Sequence, residues 1–151
     1  FGGDVIDAAT YERMRGAVRA RLSAFRDRLK AAGKEAPRHL LGTSGTITTI
    51  AGVTLGLKRY DRCKVDGCWL TREQVRSACR RLRAMSREER AAMGCIGRER
   101  ADLVVAGCAI LEEILELWPV ERIRVADRGL REGILTGLMR EDGIDVRAET
   151  T

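Results

Sequence analysis

The chain has 151 residues, of which 44% are hydrophobic and 33% charged, and its formal net charge is +6. A chain of this length favours a single domain with a real core, and this composition excludes a disordered polymer and an integral membrane protein. We therefore expect a globular piece of a water-soluble protein.

The positive charge has two explanations. Lys30, Lys34, Lys58 and Lys64 are the only lysines, so the other 24 basic residues are arginines. Such a bias is typical of a GC-rich genome, and it also suits a domain that binds polyanions such as polyphosphate, nucleotides or nucleic acid. Five cysteines without a Cys-x-x-Cys pair, a single histidine and no signal-peptide pattern argue against a zinc site and predict a cytoplasmic location.

The first part of the chain predicts a long amphipathic helix. Asp7 or Thr10 is a suitable N-cap and Gly33 a suitable stop. Between them, apolar residues recur every three or four positions, which indicates one buried stripe. The stripe consists of Tyr11, Met14, Val18, Leu22, Phe25 and Leu29. The opposite face is basic, and we interpret it as a solvated surface in preference to a nucleic-acid contact. Its basic residues are Arg13, Arg19, Arg26 and Lys30.

A strand, a glycine turn and a second helix come next. The apolar pair Leu40-Leu41 predicts a short strand, which breaks into the turn Gly-Thr-Ser-Gly-Thr at residues 42–46. The helix that begins there ends at Gly56, and a polar stretch leads on to the next element. We expect this turn to join the strand directly to the N-terminus of the helix.

Three further helices are predicted between the polar stretch and residue 118. Thr71 with Gln74, and Ser86 with Glu89, form capping-box patterns that predict two helix starts. The stretch from 98 to 118 is apolar on most faces, which predicts a central buried helix. We expect its glutamates to lie on a solvated face. These glutamates are Glu112, Glu113 and Glu116.

The last part of the chain predicts one strand and one helix. Residues 122–126 alternate between polar and apolar, which predicts a strand with Ile123 and Val125 facing inward. A helix from Leu130 to about Met139 follows. Two predicted strands are too few for an independent sheet. We expect either a helical domain or a fragment whose other strands lie outside this chain.

The glycine turn at residues 42–46 carries the clearest chemical signal. Glycines let a backbone approach an anion closely, the following helix offers free N–H groups and a partial positive charge, and hydroxyls can donate to phosphate oxygens. The turn is not a P-loop, because no lysine follows its second glycine. Phosphate or nucleotide contact and a purely structural strand-to-helix turn are both open at this point.

Other chemical signals are weaker. A second turn at residues 127–133 adds a carboxylate and two guanidiniums near a helix start, and helix capping is its structural alternative. With His39 as the one histidine, a Ser-His-Asp set is implausible. Six aromatic residues are too scattered for a platform on which bases could stack.

Four motifs stand in a characteristic order along the chain. They are Leu-Gly-Thr-Ser-Gly-Thr-Ile-Thr-Thr at 41–49, Leu-Gly-Leu at 55–57 with Tyr-Asp at 60–61, the stretch 98–102 with Ala-Gly at 106–107, and Gly-Leu-Arg-Glu-Gly at 129–133. Together they resemble the exopolyphosphatase and guanosine pentaphosphate phosphohydrolase (Ppx/GppA) family. The resemblance implies that residues 1–140 form the second lobe of the family's catalytic module and 141–151 a C-terminal tail. The implied fold is a helix-rich α/β fold, a partial ribonuclease-H-like lobe of the actin, heat-shock chaperone and sugar-kinase superfamily.

The resemblance also implies an activity. Family members hydrolyse terminal phosphoanhydride bonds of inorganic polyphosphate or guanosine pentaphosphate; a carboxylate in the first lobe activates water, and magnesium with backbone amides stabilises the transferring group. The family's phosphate loops and catalytic glutamate have no counterpart in this chain. We therefore expect the chain to be inactive alone and to bind no magnesium itself. Its implied partners are the missing N-terminal lobe and, as an open alternative, a second copy in a homodimer.

Site residues follow from the same resemblance. The glycine turn is expected to contact substrate, and two nearby arginines are cationic candidates, although Arg100 and Asp102 also suit a buried structural pair, which we favour. The candidate substrate-binding residues are Gly42, Thr43, Ser44, Gly45, Thr46, Arg98 and Arg100. Asp66 stands where the family commonly has histidine, and its charge would repel an anion, so we exclude that loop as a phosphate ligand.

Two other functions are compatible with the sequence. The positive charge and the arginine-bearing first helix suit a non-enzymatic basic module that binds a nucleotide or nucleic acid, although nucleic acid is the less favoured partner. A kinase-like relative of the same superfamily that binds ATP is the other. No membrane partner is expected.

Overall fold

The computed structural model describes residues 6–144, which form a helix-rich α/β fold with a small sheet. In chain order the elements are α1 (Ala8–Ala31), β1 (Leu40–Thr43), α2 (Gly45–Thr54), α3 (Arg62–Val65), β2 (Trp69–Thr71), α4 (Arg72–Ala84), α5 (Arg87–Ala92), α6 (Val104–Leu117), β3 (Arg122–Ala126) and α7 (Leu130–Glu141). Of the predicted C-terminal tail at residues 141–151, the structure describes 141–144, with Glu141 ending α7, and residues 145–151 lie outside the described residues.

The sheet has three strands in the order β1-β3-β2. β1 runs parallel to β3, with Leu41 opposite Arg124, and β2 runs antiparallel to β3, with Trp69 opposite the same Arg124. Sequence reasoning missed β2, because three residues that lead straight into a helix carry no alternation of their own. Within residues 6–144 the outer edge of β1 has no partner strand.

Helix capping follows the sequence. The carboxylate of Asp7 accepts a hydrogen bond from the Thr10 N–H at 2.8 Å, so Asp7 is the N-cap of α1. Both predicted capping boxes, at the starts of α4 and α5, form in full. These side chains satisfy N–H groups that a helix leaves unpaired at its first turn.

The central helix α6 is shorter than predicted. It begins at Val104, whereas the apolar pattern predicts a start near Arg98. The reason is Gly97, whose φ of +74° turns the chain, after which hydrogen bonds from Arg100 to Gly97 and from Leu103 to Arg100 close separate turns. α6 then packs against α1, α4 and α2 and forms the centre of the core.

The prediction of a solvated glutamate face on α6 is wrong for Glu113 but right for Glu116, which is exposed. Glu113 is fully buried, and its carboxylate accepts hydrogen bonds from Arg15 at 3.1 Å and from Arg19 at 2.6 Å. Glu112 accepts a hydrogen bond from the Tyr11 hydroxyl at 2.6 Å. Because α1 lies along α6, it supplies the guanidiniums that a buried carboxylate requires. Part of the basic face of α1 is therefore an intramolecular contact.

Other apolar surface is left uncovered in this chain. In α1 only Tyr11 and Met14 are buried, and Phe25 further along the same stripe is 46% exposed. No residue of α7 is buried, and its Leu130 is 80% exposed. None of the described helices is both long and apolar enough to span a bilayer.

Candidate functional site

The glycine turn joins β1 to α2 as predicted. β1 ends at Thr43, and α2 begins at Gly45. Ser44 between them has a φ of +86°, the one positive φ of a non-glycine residue in the described part of the chain. Its carbonyl accepts hydrogen bonds from the N–H and the hydroxyl of Thr48, at 3.3 and 3.2 Å. A non-glycine residue adopts this rarely populated backbone conformation only where surrounding contacts hold it, and such residues are common in functional turns.

Two glycines allow the elements around the turn to pack closely. A Cβ atom at Gly42 would lie 2.8 Å from Cγ1 of Ile47, and a Cβ atom at Gly107 would lie 2.5 Å from Oγ1 of Thr46. Both distances are far below a normal van der Waals contact. β1, α2 and α6 can therefore meet at the turn only because these two positions lack side chains.

Arg100 lies at the N-terminus of α2. Its Cζ atom is 3.7 Å from the position that a Cβ of Gly45 would occupy, and its Nη1 donates a hydrogen bond to the Thr49 hydroxyl at 3.4 Å. The favoured pairing of Arg100 with Asp102 is wrong, because the Asp102 carboxylate is held by Arg87, at 2.6 and 3.1 Å. Within residues 6–144 no carboxylate forms an ion pair with Arg100.

These groups line one cavity of about 230 Å³. Its walls come from the turn, the first turns of α2 and the start of α6: Ser44, Gly45, Thr46, Thr49, Arg100, Leu103 and Val104. The free N–H groups of a helix N-terminus and an adjacent unpaired guanidinium attract the same ligand class, a phosphate or carboxylate. The cavity is therefore suited to hold an anion.

The candidate residues are only partly brought together. Arg98 is exposed and does not line this cavity, although it is two residues from Arg100. Thr43 donates its hydroxyl hydrogen bond to the backbone carbonyl of Arg128, at 2.8 Å. Sequence reasoning did not assign a role to Thr49, although its position one helical turn after Gly45 on α2 is a signal that could have found it.

The second turn, at residues 127–133, is held by hydrogen bonds to Asp66. Asp66 accepts hydrogen bonds from the Asp127 N–H at 2.9 Å and from the Arg128 guanidinium at 2.7 Å. Partial burial opposes ionisation of Asp66, but these two hydrogen bonds lower its pKa below the ordinary value. Asp66 therefore holds the second turn in place.

Tyr60 contacts the start of the second turn. Its hydroxyl donates a hydrogen bond to the Asp127 carboxylate at 2.6 Å. Burial, together with this hydrogen bond, raises the pKa of Tyr60 to about 12, and the positive charge of Arg100 acts in the opposite direction. Tyr60 is therefore neutral at physiological pH and donates its hydroxyl hydrogen bond to Asp127.

Metal ligands are not grouped at this site. Across residues 6–144, no three histidine, cysteine, aspartate or glutamate side chains lie close enough together to hold a metal ion.

A second, apolar cleft of about 400 Å³ lies between β1 and α6. Residues 40–44 form one side of it, and Ile110, Leu111 and Ile114 of α6 form the other. Leu40 and Ile114 also line a larger groove of about 880 Å³ between the C-terminal halves of α1 and α6. Their mostly apolar linings do not suit a small anion.

Comparison with known proteins places this geometry in a family. Residues 1–142 match the profile of the Ppx/GppA phosphatase family. Exopolyphosphatase 2 of Mycobacterium tuberculosis is 26% identical over 121 residues, which cover 75% of this chain and 38% of that protein.

Solved structures agree with this match. A Ppx/GppA family member from Aquifex aeolicus superposes with a TM-score of 0.80 at 27% identity, over 96% of this chain and 45% of that chain. An exopolyphosphatase from Cytophaga hutchinsonii shares the fold, with a TM-score of 0.77 at 24% identity, over 97% of this chain and 46% of that chain. These relatives have the actin-like fold, and the chain spans less than half of their length. The chain belongs to the Ppx/GppA phosphatase family.

Proposed function

We propose that this chain is part of a cytoplasmic phosphatase that hydrolyses terminal phosphoanhydride bonds of inorganic polyphosphate or guanosine pentaphosphate. The observation that carries the proposal is the guanidinium of Arg100 beside Gly45 at the N-terminus of α2, without a carboxylate partner in the described residues. Family membership supplies the reaction class, and this anion-binding cavity supplies a place for phosphate oxygens on this chain.

The role of the chain in this reaction is to position the substrate. N–H groups at the start of α2 and the hydroxyls of Ser44 and Thr46 donate hydrogen bonds to phosphoryl oxygens, and Arg100 balances their charge. The water oxygen forms a new bond to the terminal phosphorus as its proton passes to a carboxylate base. The bond from that phosphorus to the bridging oxygen breaks, and the shortened polyphosphate or nucleotide leaves with this oxygen. By resemblance that base belongs to the first lobe, so this chain alone is inactive.

The resemblance implies magnesium in the parent enzyme; across the described residues no three histidine, cysteine, aspartate or glutamate side chains are grouped as ligands. The carboxylates nearest the turns are already engaged: Asp66 binds Arg128, and Asp127 binds Tyr60. No step of the proposed mechanism on this chain passes through the metal.

The remaining part of the parent, including the N-terminal lobe, is the proposed partner. Three uncovered surfaces support this proposal: the unpaired edge of β1, the groove between α1 and α6, and the apolar face of α7. The solved relatives are more than twice as long as the part that this chain matches. An extended segment paired with β1 would satisfy its free backbone groups and cover the adjacent cleft.

A phosphate-release assay on the parent protein and on the 151-residue chain tests the proposal. We expect the parent to release phosphate from polyphosphate or guanosine pentaphosphate with magnesium present, and the chain alone to release none. In the parent, Arg100→Gln should lower kcat/KM about 100-fold, the usual scale for losing one preorganised contact to a developing oxyanion. Arg98→Gln removes the same charge outside the cavity and is the control.

Turnover by the chain alone would contradict the proposed division of labour. Equal losses for Arg100→Gln and Arg98→Gln would contradict the role of the cavity. A parent that turns over neither substrate would contradict the proposed function itself.

A further inference from the structure

The solvent face of the sheet carries a cluster of cationic and aromatic side chains that the proposed reaction does not use. Strand β3 alternates, so that Ile123 and Val125 enter the core while Arg122 and Arg124 face solvent. Trp69 of β2 lies opposite Arg124 in the register of the sheet. We call Trp69, Arg122 and Arg124 the sheet cluster.

The two arginines of the sheet cluster stack on one ring. The Cζ atoms of Arg122 and Arg124 lie 4.5 and 5.2 Å from the centroid of the Trp69 ring. His39 packs against the same indole edge-on, with 5.3 Å between ring centroids and 72° between planes. Cation–π stacking orders a guanidinium but leaves the N–H groups at its edge free to donate. Both arginines are therefore held in position with donors available.

Backbone geometry also makes room for Arg124. Gly67 adopts a φ of +80°, and a Cβ atom there would lie 3.1 Å from Nη2 of Arg124. The Gly67 N–H donates to the carbonyl of Val125 at 2.8 Å, which fixes this loop against β3. A side chain at position 67 would therefore crowd the guanidinium that the sheet cluster presents.

The charge of the sheet cluster is unbalanced. Among the described residues, no carboxylate forms an ion pair with Arg122 or Arg124. The nearby carboxylate of Asp66 is occupied by Arg128, at 2.7 Å. Arg76 and Arg80 on α4, in contrast, each have a glutamate partner. Two ordered cations without a counter-charge form a local positive patch that favours a polyanion.

Position in the sheet keeps this patch accessible. The sheet cluster lies on β2 and β3, and within residues 6–144 both β1 and β2 are edge strands without an outer partner. A strand added beside β1 would be separated from the sheet cluster by β1 itself. Side chains two residues apart on a strand are separated by about 6.6 Å, so two guanidiniums can contact phosphoryl groups along one short chain.

We propose that the sheet cluster binds consecutive phosphoryl groups, carried by polyphosphate or by a guanosine nucleotide, at a second site separate from the glycine turn. The choice of this ligand class rests on the proposed function. This site does not need the aromatic platform for base stacking that the sequence lacks. Its one tryptophan, Trp69, holds two arginines in position, and the arginines bind the ligand.

Fluorescence of Trp69 tests the proposal directly. In a chain with Trp118→Phe, Trp69 is the one remaining tryptophan, so its emission reports binding at the sheet cluster. We expect polyphosphate to change this emission. The double substitution Arg122→Gln and Arg124→Gln should weaken binding about tenfold, because it removes two charged donors. Arg21→Gln with Arg28→Gln on α1 changes the net charge equally and should weaken binding less than about twofold, since screening limits distant charges.

Parallel titrations identify the source of the phosphoryl groups. Tighter binding of polyphosphate than of guanosine triphosphate assigns the site to the inorganic chain, and the reverse assigns it to the nucleotide. Equal, weak responses to polyphosphate, guanosine triphosphate and orthophosphate would overturn the proposal, as would equal losses in the two double variants. Tighter binding of single-stranded DNA than of both phosphate ligands would also overturn it.

The outcome is separable from that of the proposed function. Arg100→Gln changes the cavity at the glycine turn, but Arg100 is not part of the sheet cluster. The affinity for polyphosphate reported by Trp69 should therefore stay within about twofold of that of the chain with Arg100 intact. If the parent enzyme is inactive but the Trp69 response occurs and is lost in the Arg122/Arg124 variant, the proposed reaction is contradicted and this site is supported. If the parent is active but Trp69 gives no response, this site is contradicted and the proposed reaction is supported.

Discussion

Helices α6 and α7 are both rich in apolar residues, but they differ in what covers them. α6 packs against α1, α4 and α2 and buries Val105, Cys108 and Leu115. α7 buries no residue, and Leu138 near its C-terminal end is 52% exposed. An apolar stripe specifies which face of a helix needs a partner, but the partner itself must come from elsewhere in the protein.

The two helices are also held by different forces. Apolar packing holds α6, and even its buried Glu113 is paired with arginines of α1. α7 is attached through polar contacts near its N-terminus: Arg62 donates to Glu132 at 3.1 Å and to the carbonyl of Asp127. α6 therefore belongs to the core of this chain, whereas the described residues leave the apolar side chains of α7 exposed.

Truncating one leucine in each helix should give the largest contrast. Leu115→Ala in α6 should lower the free energy of unfolding by about 3 kcal/mol, because it opens a cavity in a packed core. Leu138→Ala in α7 should change it by no more than about 0.5 kcal/mol, since the side chain is already half exposed. Urea unfolding of the 151-residue chain measures both values. Similar losses in the two variants would show that α7 is packed in this chain after all.

Replacing one glycine by alanine in each helix should give two smaller changes in the free energy of unfolding, and these two changes should have opposite signs. Gly107→Ala places a Cβ atom 2.5 Å from the Thr46 hydroxyl and should destabilise the chain by about 1 to 2 kcal/mol. Gly133→Ala in α7 meets no atom within 4 Å and should stabilise the helix by about 0.5 kcal/mol. Thermal unfolding of both variants checks the signs. A neutral Gly107→Ala would contradict the close packing of α6 against the glycine turn.

Sequence patterns predicted the elements whose signals are local. Asp7 and the two capping boxes mark helix starts with side chains that bond within three residues, so they can be read without knowing the fold. The same holds for β3, whose alternation matches its burial. In contrast, β2 is defined by pairing with β3, and the burial of Glu113 depends on arginines about 95 residues away.

The candidate site, like the fold, could be predicted from the sequence only where its signal is local. The glycine turn is contiguous in sequence, and the structure forms it where the pattern predicts it. Arg100 is 55 residues from Gly45, and its neighbour Asp102 suggested a local pair instead. Only the packing of α6 beside α2, with Asp102 turned to Arg87, decides which residue the guanidinium meets.

Acid should loosen α7 before α6, and this is the smallest effect expected. Glu132 caps α7 by accepting a hydrogen bond from the Gly129 N–H at 2.8 Å. Backbone N–H groups, and then the Arg62 guanidinium, lower the pKa of Glu132 to about 2 from its ordinary value of 4.5. Because the pKa is lower in the folded state, the stabilisation is complete above pH 4.5 and is lost as the pH falls toward 2.

Nuclear magnetic resonance can follow this loss at single residues. Amide exchange in α7 should accelerate relative to α6 as the pH falls from 4.5, and Glu132→Gln should remove most of that difference, whereas Glu141→Gln at the other end of α7 should not. Arg62→Gln should raise the titration midpoint of Glu132 but leave it below 4.5, because the Gly129 N–H is the larger cause. A midpoint that returns fully to 4.5 would instead assign the attachment of α7 to the Arg62 ion pair, and α7 would then be joined to the core by a single side-chain contact.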